Sequence, residues 1–224
     1  MRAVTASLPV LGLVLVLCGA VVVGRSSGQG GDRRPPVATL VSLAVVAVPT
    51  VLQLLVLPTL LAAWERDWPR MLDGQWWRLV TSLTVQDDGW PGAVLNLLSL
   101  AVVGFLAERT WGRRSFVVIA LVSGVGAQFW GAVVQPVGAG NSVVVVGLAA
   151  SLAVARVRTR STAVRAVAIG TLVVGAALFV TGDLHGGAFV LGAVCALVIT
   201  IRRRATGHAA PAGGTEASSS SVQG

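Results

Sequence analysis

Long apolar stretches separated by short polar segments are the dominant pattern of this chain. A helix that crosses a membrane needs about 20 mostly apolar residues, and seven stretches of the sequence approach that length. They cover residues 3–24, 37–64, 92–107, 116–134, 142–155, 166–182 and 185–201. Pro49 and Pro58 lie inside the second stretch, where we expect helix kinks. The pattern predicts an all-α, polytopic membrane helix bundle.

The segment between the second and third stretches has a different character. Residues 65–91 carry three arginines and five acidic residues, which makes the segment too polar to span a bilayer. It also carries four tryptophans, a residue type that is enriched at membrane interfaces. These are Trp68, Trp76, Trp77 and Trp90. We therefore expect a long loop at one membrane surface.

Composition supports the membrane assignment and excludes other classes of protein. Of the 224 residues, 54% are hydrophobic and 12% are charged, whereas a soluble domain carries about 25% charged residues. This balance excludes a disordered chain, a nucleic-acid-binding domain and an ordinary soluble enzyme. Cys18 and Cys195 both lie in apolar stretches, so the sequence predicts neither a disulfide framework nor a zinc site.

The distribution of arginines predicts the orientation in the membrane. All 17 basic residues are arginine, and thirteen of them follow the first, third, fifth or seventh apolar stretch. The other side of the predicted bundle holds six of the nine acidic residues. Because basic loops stay in the cytoplasm, we expect the N-terminus outside and the C-terminus inside. The all-arginine, Ala/Val/Gly-rich usage is typical of a GC-rich bacterial source, and so of a plasma membrane.

Residues 1–24 have a second interpretation as a cleaved signal peptide. Cleavage would export Arg25, Arg33 and Arg34, against the charge pattern of the other loops. No small-x-small cleavage site precedes Arg25, and Leu17 before Cys18 fits a lipoprotein signal poorly. A retained transmembrane helix is the favoured interpretation, with the signal peptide as the alternative.

Four polar residues in the apolar stretches are candidates for function, because polar groups are costly inside a bilayer. Asn96, Ser142 and His185 fall at a similar shallow depth near the predicted outer face, whereas Glu108 falls at the cytoplasmic end. A serine hydroxyl becomes a nucleophile when a base within hydrogen-bond reach takes its proton, and neutral imidazole is the usual base. The other histidine, His208, lies in the polar tail, so His185 is the candidate base.

Each of these residues also has a simpler structural interpretation. A serine in a membrane helix commonly bonds its own backbone, and an asparagine such as Asn96 can join two helices. A histidine near a helix end often serves in packing, and Glu108 can pair with the adjacent Arg109. Glycines near Ser142 and His185 indicate by themselves only that helices pack closely.

The order of several short motifs along the chain narrows the interpretation. The motifs are Gly74-Gln-Trp-Trp-Arg, Asn96-Leu-Leu, Glu108-Arg-Thr-Trp-Gly, Gly140-Asn-Ser, and His185 with Ala188 and Gly192 at +3 and +7. In this order they resemble elements of the rhomboid intramembrane serine proteases. The resemblance implies a six-helix core over residues 37–201. Residues 1–36 would add an N-terminal transmembrane helix and a cytoplasmic loop, and residues 202–224 a disordered tail.

The resemblance also implies a role for each motif residue. Ser142 would be the nucleophile and His185 its base, in a dyad without a third carboxylate, and Asn96 would help to hold the oxyanion. Asp183 is too close to His185 in sequence to be assigned a role. Transmembrane proteins would be cleaved near the outer face without a metal or other cofactor. The structural motif positions would be Trp77, Arg78, Glu108, Gly112, Gly140, Gly147 and Gly192.

Two positions depart from the family pattern. A histidine usually stands four residues before the asparagine, where this chain has Gly92, and a glycine usually follows the nucleophile, where it has Val143. Loss of one oxyanion donor can lower the rate about 10²–10³-fold, although Asn96 and the Ser142 N–H would remain.

The leading hypothesis is an intramembrane serine endopeptidase, and the alternative is a weak or inactive rhomboid-like protein that binds membrane clients. A small transporter is disfavoured, because no internal repeat or pair of broken helices is evident.

Overall fold

A computed structural model describes residues 2–25 and 35–208 of the chain. The described residues form ten helices and two very short strands. In chain order these are α1 (Arg2–Arg25), α2 (Val37–Leu55), α3 (Leu60–Trp64), β1 (Arg66–Asp67), α4 (Trp68–Leu72), α5 (Arg78–Thr81), α6 (Gly89–Trp111), α7 (Arg113–Val134), β2 (Val137–Gly138), α8 (Ser142–Arg156), α9 (Thr162–Val180) and α10 (Leu184–His208). The prediction of an all-α, polytopic bundle is confirmed.

The long helices have the length and apolar character of membrane spans. Five of them, α2, α6, α7, α9 and α10, are long and apolar enough to cross a membrane. Gly12–Arg25 of α1 and the whole of α8 are shorter apolar helices. These two and the five longer helices correspond to the seven predicted stretches.

Helix α8 lies at the centre of the bundle. It contacts α1, α6, α7, α9 and α10, and almost every residue from Val143 to Ala153 is buried. Small residues in this segment, such as Gly147 and Ala150, allow the neighbouring helices to approach closely. On the rim of the bundle, α2 packs against α6, and α1 packs along α6, α8 and α9.

The tryptophan-rich loop folds into short elements at one end of the bundle. Strand β1 pairs with β2 in antiparallel register, with Arg66 opposite Gly138 and Asp67 opposite Val137. The indole Nε1 of Trp68 donates a hydrogen bond of 2.9 Å to the carbonyl of Gln128 in α7. These contacts attach the loop to the segment that leads into Ser142.

The second predicted span ends earlier than expected. The sequence predicts one kinked helix over residues 37–64, but α2 ends at Leu55 and Leu60–Trp64 forms the separate helix α3. The N–H groups of Val56 and Leu57 both return to the carbonyl of Leu52. Pro58 has no N–H with which to continue the helix, so it ends the span, whereas Pro49 is accommodated inside α2.

The last helix continues beyond its predicted end at Ile201. It includes Arg202, Arg203 and Arg204 and reaches His208, because arginine and alanine favour helix. The guanidinium of Arg203 donates a hydrogen bond to the carbonyl of Trp111 and covers that indole. Residues 209–224 of the predicted tail, and residues 26–34 of the predicted cytoplasmic loop, lie outside the described residues.

Candidate active site

Ser142 and His185 face each other at one end of the bundle, here called the site end. Ser142 is the first residue of the central helix α8, and His185 lies in the first turn of α10. The Nε2 atom of His185 is 2.9 Å from the Oγ of Ser142, although the residues are 43 positions apart in sequence. Both side chains are half-buried. The two atoms form a hydrogen bond, and their separation is short enough for direct proton transfer.

Asp183 contacts the second ring nitrogen of the imidazole, Nδ1. Its Oδ1 lies 2.8 Å from the Nδ1 of His185 and accepts a hydrogen bond of 2.8 Å from the His185 backbone N–H. Burial would raise the pKa of Asp183, but hydrogen bonds from His185 and its charge outweigh burial and lower the pKa. An ionised carboxylate only accepts, so Nδ1 carries a hydrogen, and in the neutral ring the Nε2 lone pair points at Ser142.

The loop that presents Asp183 is anchored on α7. The indole Nε1 of Trp130 donates a hydrogen bond of 3.0 Å to the carbonyl of Asp183, and its ring stacks on Phe179 with 4.8 Å between centroids. Gly182 has a φ of +73°, which allows the chain to turn from α9 into α10. These contacts fix the loop from which the acid and the imidazole project.

The backbones of α8 and α10 meet at two of the predicted motif glycines. A Cβ added to Gly192 would lie 2.1 Å from the carbonyl oxygen of Gly147. A Cβ added to Gly147 would in turn lie 2.2 Å from the Cβ of Ser123 in α7. No side chain fits at either position, so the two glycines set the spacing of the helices that carry Ser142 and His185.

Four side-chain amides form a connected network beside Ser142. Asn96 Nδ2 donates to Gln86 Oε1 at 2.7 Å, and Gln86 Nε2 donates to Asn141 Oδ1 at 3.0 Å. Asn141 Nδ2 returns to the carbonyl of Asn96 at 3.3 Å. The amide of Gln53 in α2 exchanges two hydrogen bonds with the backbone of Gln86. Gln53, Gln86 and Asn141 are all buried, so the network fixes the orientation of Asn96.

Gly140 leaves a small space between the serine and this network. The point at which its Cβ would sit is 3.4 Å from Gln86 Oε1, 3.5 Å from Asn96 Nδ2 and 3.8 Å from Ser142 Oγ. Its φ of +131° also favours glycine, and its N–H donates to the carbonyl of Ser82. The structure therefore brings Gly140, Asn96 and Ser142 together around one point.

The two departures from the family pattern are packing residues in this structure. A Cβ added to Gly92 would lie 2.2 Å from the Cβ of Asp88, so the first turn of α6 leaves no room there. Val143 is buried in an apolar cluster with Leu83, Leu184 and neighbouring alanines. A histidine at position 92 would therefore require the start of α6 to shift, and a glycine at position 143 would open a cavity.

Glu108 and Gly112 lie at the opposite end of the bundle from the serine. The Glu108 carboxylate accepts hydrogen bonds from the N–H groups of Ala38 and Thr39, at 3.0 and 2.7 Å, and from the Thr39 hydroxyl. It therefore satisfies the N-terminal N–H groups of α2. The carboxylate also forms an ion pair with Arg113, at 3.7 Å. Gly112, with a φ of +77°, makes the turn from α6 to α7.

Arg78 organises the tryptophan-rich loop. It is buried, and its guanidinium donates to the carbonyls of Ala62 and Glu65 at 2.8–3.1 Å and to the side chain of Gln75 at 2.8 Å. The adjacent Trp77 is 54% exposed, which suits an indole at a membrane interface. Neither side chain reaches Ser142, so both belong to the scaffold of the loop.

Several residues that support the site are not predicted from the sequence. Asp183 has no predicted role because it is close to His185, yet an acid directly before a helix is a common N-cap, and here it also reaches the ring. No motif in the sequence surrounds Gln53 or Gln86. Their part in the site becomes apparent only from their burial in the structure. Arg66 is also buried and holds the loop before Ser142 through Gln128 and the carbonyl of Gln135, at 2.7 and 3.1 Å.

Taken together, the apolar bundle and the position of the site define an integral membrane protein of the polytopic helical class. A family model described as "Rhomboid domain" matches residues 73–205, more than half of the chain. The chain belongs to the rhomboid family, a family of intramembrane proteases. It is also 36% identical over 61 residues to Rhomboid protease AarA of Providencia stuartii. That match covers 27% of this chain and 21%, about a fifth, of the relative's length.

Proposed function

We propose that this protein is an intramembrane serine endopeptidase that cleaves transmembrane proteins near the outer face of a bacterial plasma membrane. The observation that carries the proposal is the 2.9 Å contact between Ser142 Oγ and His185 Nε2. A chance serine in a membrane helix bonds its own backbone, whereas this hydroxyl faces the basic nitrogen of an imidazole. Family membership supports the same reaction class.

In the proposed reaction, Ser142 Oγ attacks the scissile carbonyl while His185 Nε2 takes the hydroxyl proton. The tetrahedral intermediate then collapses, the imidazolium returns that proton to the leaving amine, and an acyl-enzyme remains on Ser142. Water attacks the ester with His185 again as base, which releases the acid product and restores the serine. The chain's own side chains provide all the acid–base steps.

Asn96 and the backbone N–H of Ser142 are the proposed oxyanion donors. Ser142 begins α8, and the N–H groups in the first turn of a helix have no partner within that helix. Asn96 Nδ2 has two hydrogens, of which one is donated to Gln86 and the second can be donated to the oxyanion. In this proposal the buried amide network holds Asn96 in place as a donor, at a site that lacks the histidine donor of the family pattern.

The short length of α8 supports cleavage below the membrane surface. A helix of 15 residues is about 22 Å long, whereas the hydrocarbon core is about 30 Å thick. With its arginine end at the cytoplasmic surface, α8 would hold Ser142 several ångströms below the outer surface. The His185 side chain is 22% exposed, so water can reach the imidazole that would activate it.

Cleavage of tagged single-span proteins by the purified full-length chain in lipid vesicles tests the proposal. We expect wild type to release two fragments and Ser142→Ala or His185→Ala to release none. Fragments from the Ser142→Ala variant would overturn the assignment of the nucleophile. Substrates left intact by wild type, together with retention of the same proteins by Ser142→Ala, would instead favour the client-binding alternative.

A further inference from the structure

A basic cavity lies at the end of the bundle opposite the candidate active site. Its volume of about 380 Å³ falls within the range of about 300–1,000 Å³ that is usual for small-molecule sites. Its walls come from the end of α6, the start of α7 and the residues just before α2. Among them are Pro36, Glu108, Arg109, Arg113 and Arg114. Of the described residues in these walls, three are arginine and one is acidic.

The charge of Glu108 is satisfied within the protein. Its carboxylate accepts hydrogen bonds from the N–H groups of Ala38 and Thr39 and from the Thr39 hydroxyl, and it lies 3.7 Å from the guanidinium of Arg113. Three arginines against one carboxylate leave the described walls with a net positive charge. Because a guanidinium presents its N–H donors in a fork that matches the oxygens of a phosphate, this cavity favours a phosphate-bearing anion.

An apolar groove begins beside the basic cavity. Within the described residues, α1 and α2 both pack against α6 but make little contact with each other, which leaves a groove between them with α6 as its floor. The groove has a volume of about 480 Å³, and its walls include Leu40 and Leu43 of α2 with Ala101 and Phe105 of α6. From Arg109 to Ala101 it follows α6 for about 12 Å, at 1.5 Å per residue, away from the arginine-rich end.

The basic cavity and the apolar groove form one continuous surface. Pro36 lines both of them. The guanidinium carbon of Arg109, in the wall of the cavity, lies 4.9 Å from the centre of the Phe105 ring, in the wall of the groove. Arg25, the last residue of α1, also lines the groove. The surface is therefore cationic at one end and apolar along the rest of its length.

The combination of shape and charge indicates which molecule fits this surface. Exposed apolar side chains are ordinary on a membrane helix and indicate nothing by themselves. Here they form a concave groove, and four arginines lie at one end of it: Arg25, Arg109, Arg113 and Arg114. Basic pockets between helices on the cytoplasmic side bind anionic lipid headgroups, and the arginine distribution predicts that this end faces the cytoplasm.

We propose that the basic cavity and the apolar groove together bind one anionic phospholipid. Its phosphodiester group contacts Arg109, Arg113 and Arg114, and one of its acyl chains lies in the groove between α1 and α2. The lipid then touches α1, α2, α6 and α7 at once, and it joins the first helix to the rest of the bundle. The proposal does not depend on the proposed peptidase activity, and its test needs no reactive serine.

Photo-cross-linking of lipid to the purified full-length protein tests the proposal. The probe is a phosphatidylglycerol with a diazirine on one acyl chain, and a phosphatidylcholine with the same chain is the zwitterionic comparison. Because each arginine beside an anionic headgroup contributes about fivefold to affinity, we expect the phosphatidylglycerol to label residues 40–43 and 101–106 about tenfold more strongly. Equal labelling of these segments by the two lipids would overturn the proposal.

Removal of the basic lining distinguishes this site from general attraction between arginines and anionic lipid. Arg109→Gln/Arg113→Gln/Arg114→Gln should lower labelling of the two segments by phosphatidylglycerol about tenfold or more. The matched control removes as many exposed arginines near the connection from α8 to α9, at the same end of the bundle, and should label like wild type: Arg158→Gln/Arg160→Gln/Arg165→Gln. An equal loss of labelling in both triple variants would overturn the proposal.

A second variant changes the groove and leaves every arginine in place. Ala101→Phe puts a ring where the acyl chain would lie, so cross-linking by phosphatidylglycerol should fall several-fold. Leu98→Phe, on the exposed face of the same helix, is the matched control and should label like wild type. Thermal unfolding checks that each variant is folded, and the comparison of the two lipids on wild type needs no variant. Wild-type labelling of Ala101→Phe would overturn the placement of the chain.

Inorganic phosphate distinguishes a lipid headgroup from a free anion. A lipid that is held by both its headgroup and its acyl chain should keep its cross-linking in excess inorganic phosphate, relative to chloride at the same ionic strength. Phosphatidylglycerol should also raise the unfolding temperature of wild type more than that of Arg109→Gln/Arg113→Gln/Arg114→Gln. If phosphate lowers cross-linking more than chloride does, a free anion occupies the cavity and the assignment to a lipid is overturned.

Discussion

Asp183 performs two tasks with one oxygen atom. Its Oδ1 caps the start of α10 through the His185 N–H, and it also contacts the ring Nδ1 of the same residue. A hydrogen bond at Nδ1 fixes both the tautomer and the rotation of an imidazole. Asp183 is therefore a positioning residue in the proposed mechanism, and the base acts through a ring that this carboxylate holds toward Ser142.

The two tasks of Asp183 can be separated by substitution. Asp183→Ser keeps an N-cap oxygen but is too short to reach Nδ1, so we expect kcat to fall about 10²-fold with little change in KM or thermal stability. Thermal unfolding and KM like those of wild type would show that the capping role is kept while the ring has lost its partner. A kcat equal to that of wild type would mean that Asp183 is only a helix cap.

Asn96 allows a similar test at the oxyanion position. Asn96→Ala removes the proposed side-chain donor and leaves the Ser142–His185 contact intact, so kcat should fall about 10²–10³-fold. A thermal unfolding temperature like that of wild type checks that the variant is still folded. Leu98→Ala, on the exposed face of the same helix, is the matched control and should retain wild-type kcat. A wild-type kcat in the Asn96→Ala variant would exclude Asn96 from the mechanism.

At the scale of elements, the site depends on how closely α8 and α10 approach. Ser142 and His185 come from different helices, and their 2.9 Å contact requires the backbones to meet at Gly147 and Gly192. The sequence predicts close helix packing from the glycines. It does not predict which backbone atom each glycine faces, because that depends on the crossing angle and register of the two helices.

Gly192→Ala should separate the two helices. Its new methyl group would meet the carbonyl of Gly147 at 2.1 Å, so we expect a destabilisation of about 1–3 kcal/mol and a large loss of serine labelling. Gly170→Ala in α9 is the matched control, because its Cβ would have nothing within 4 Å. That control should leave labelling unchanged and raise thermal stability slightly. If Gly192→Ala and Gly170→Ala unfolded at the same temperature, the close contact between Gly192 and Gly147 would be contradicted.

Element boundaries show where prediction from the sequence succeeds and where it fails. Seven apolar stretches can be recognised in the sequence, because the hydrophobicity of a stretch depends only on the residues that it contains. Each stretch corresponds to a long helix of the structure. The predicted end of α2 is wrong because Pro58 can either kink or end a helix, and the outcome depends on the packing of the loop through Arg78. The network of Gln53, Gln86 and Asn141 could not be predicted, since residues so distant in sequence meet only in the folded bundle.

At the scale of the whole molecule, the distribution of charges predicts how the bundle is oriented in a membrane. In the proposed orientation the site end lies outside and the arginine-rich end in the cytoplasm. In a Cys18→Ala/Cys195→Ala background, Asp73→Cys should react with an impermeant maleimide in intact cells, whereas Arg160→Cys should react only after lysis. Both positions are exposed. The reverse pattern would invert the orientation and would move the proposed cleavage to the cytoplasmic face.

The measurement that tests the central claim most directly is the reaction of the purified full-length protein with a small fluorophosphonate, with the modified residue located by mass spectrometry. An activated Ser142–His185 pair predicts one adduct, on Ser142, and no adduct in either Ser142→Ala or His185→Ala. An adduct that persists in His185→Ala at the wild-type rate, or a folded wild-type protein that does not react, would contradict the account.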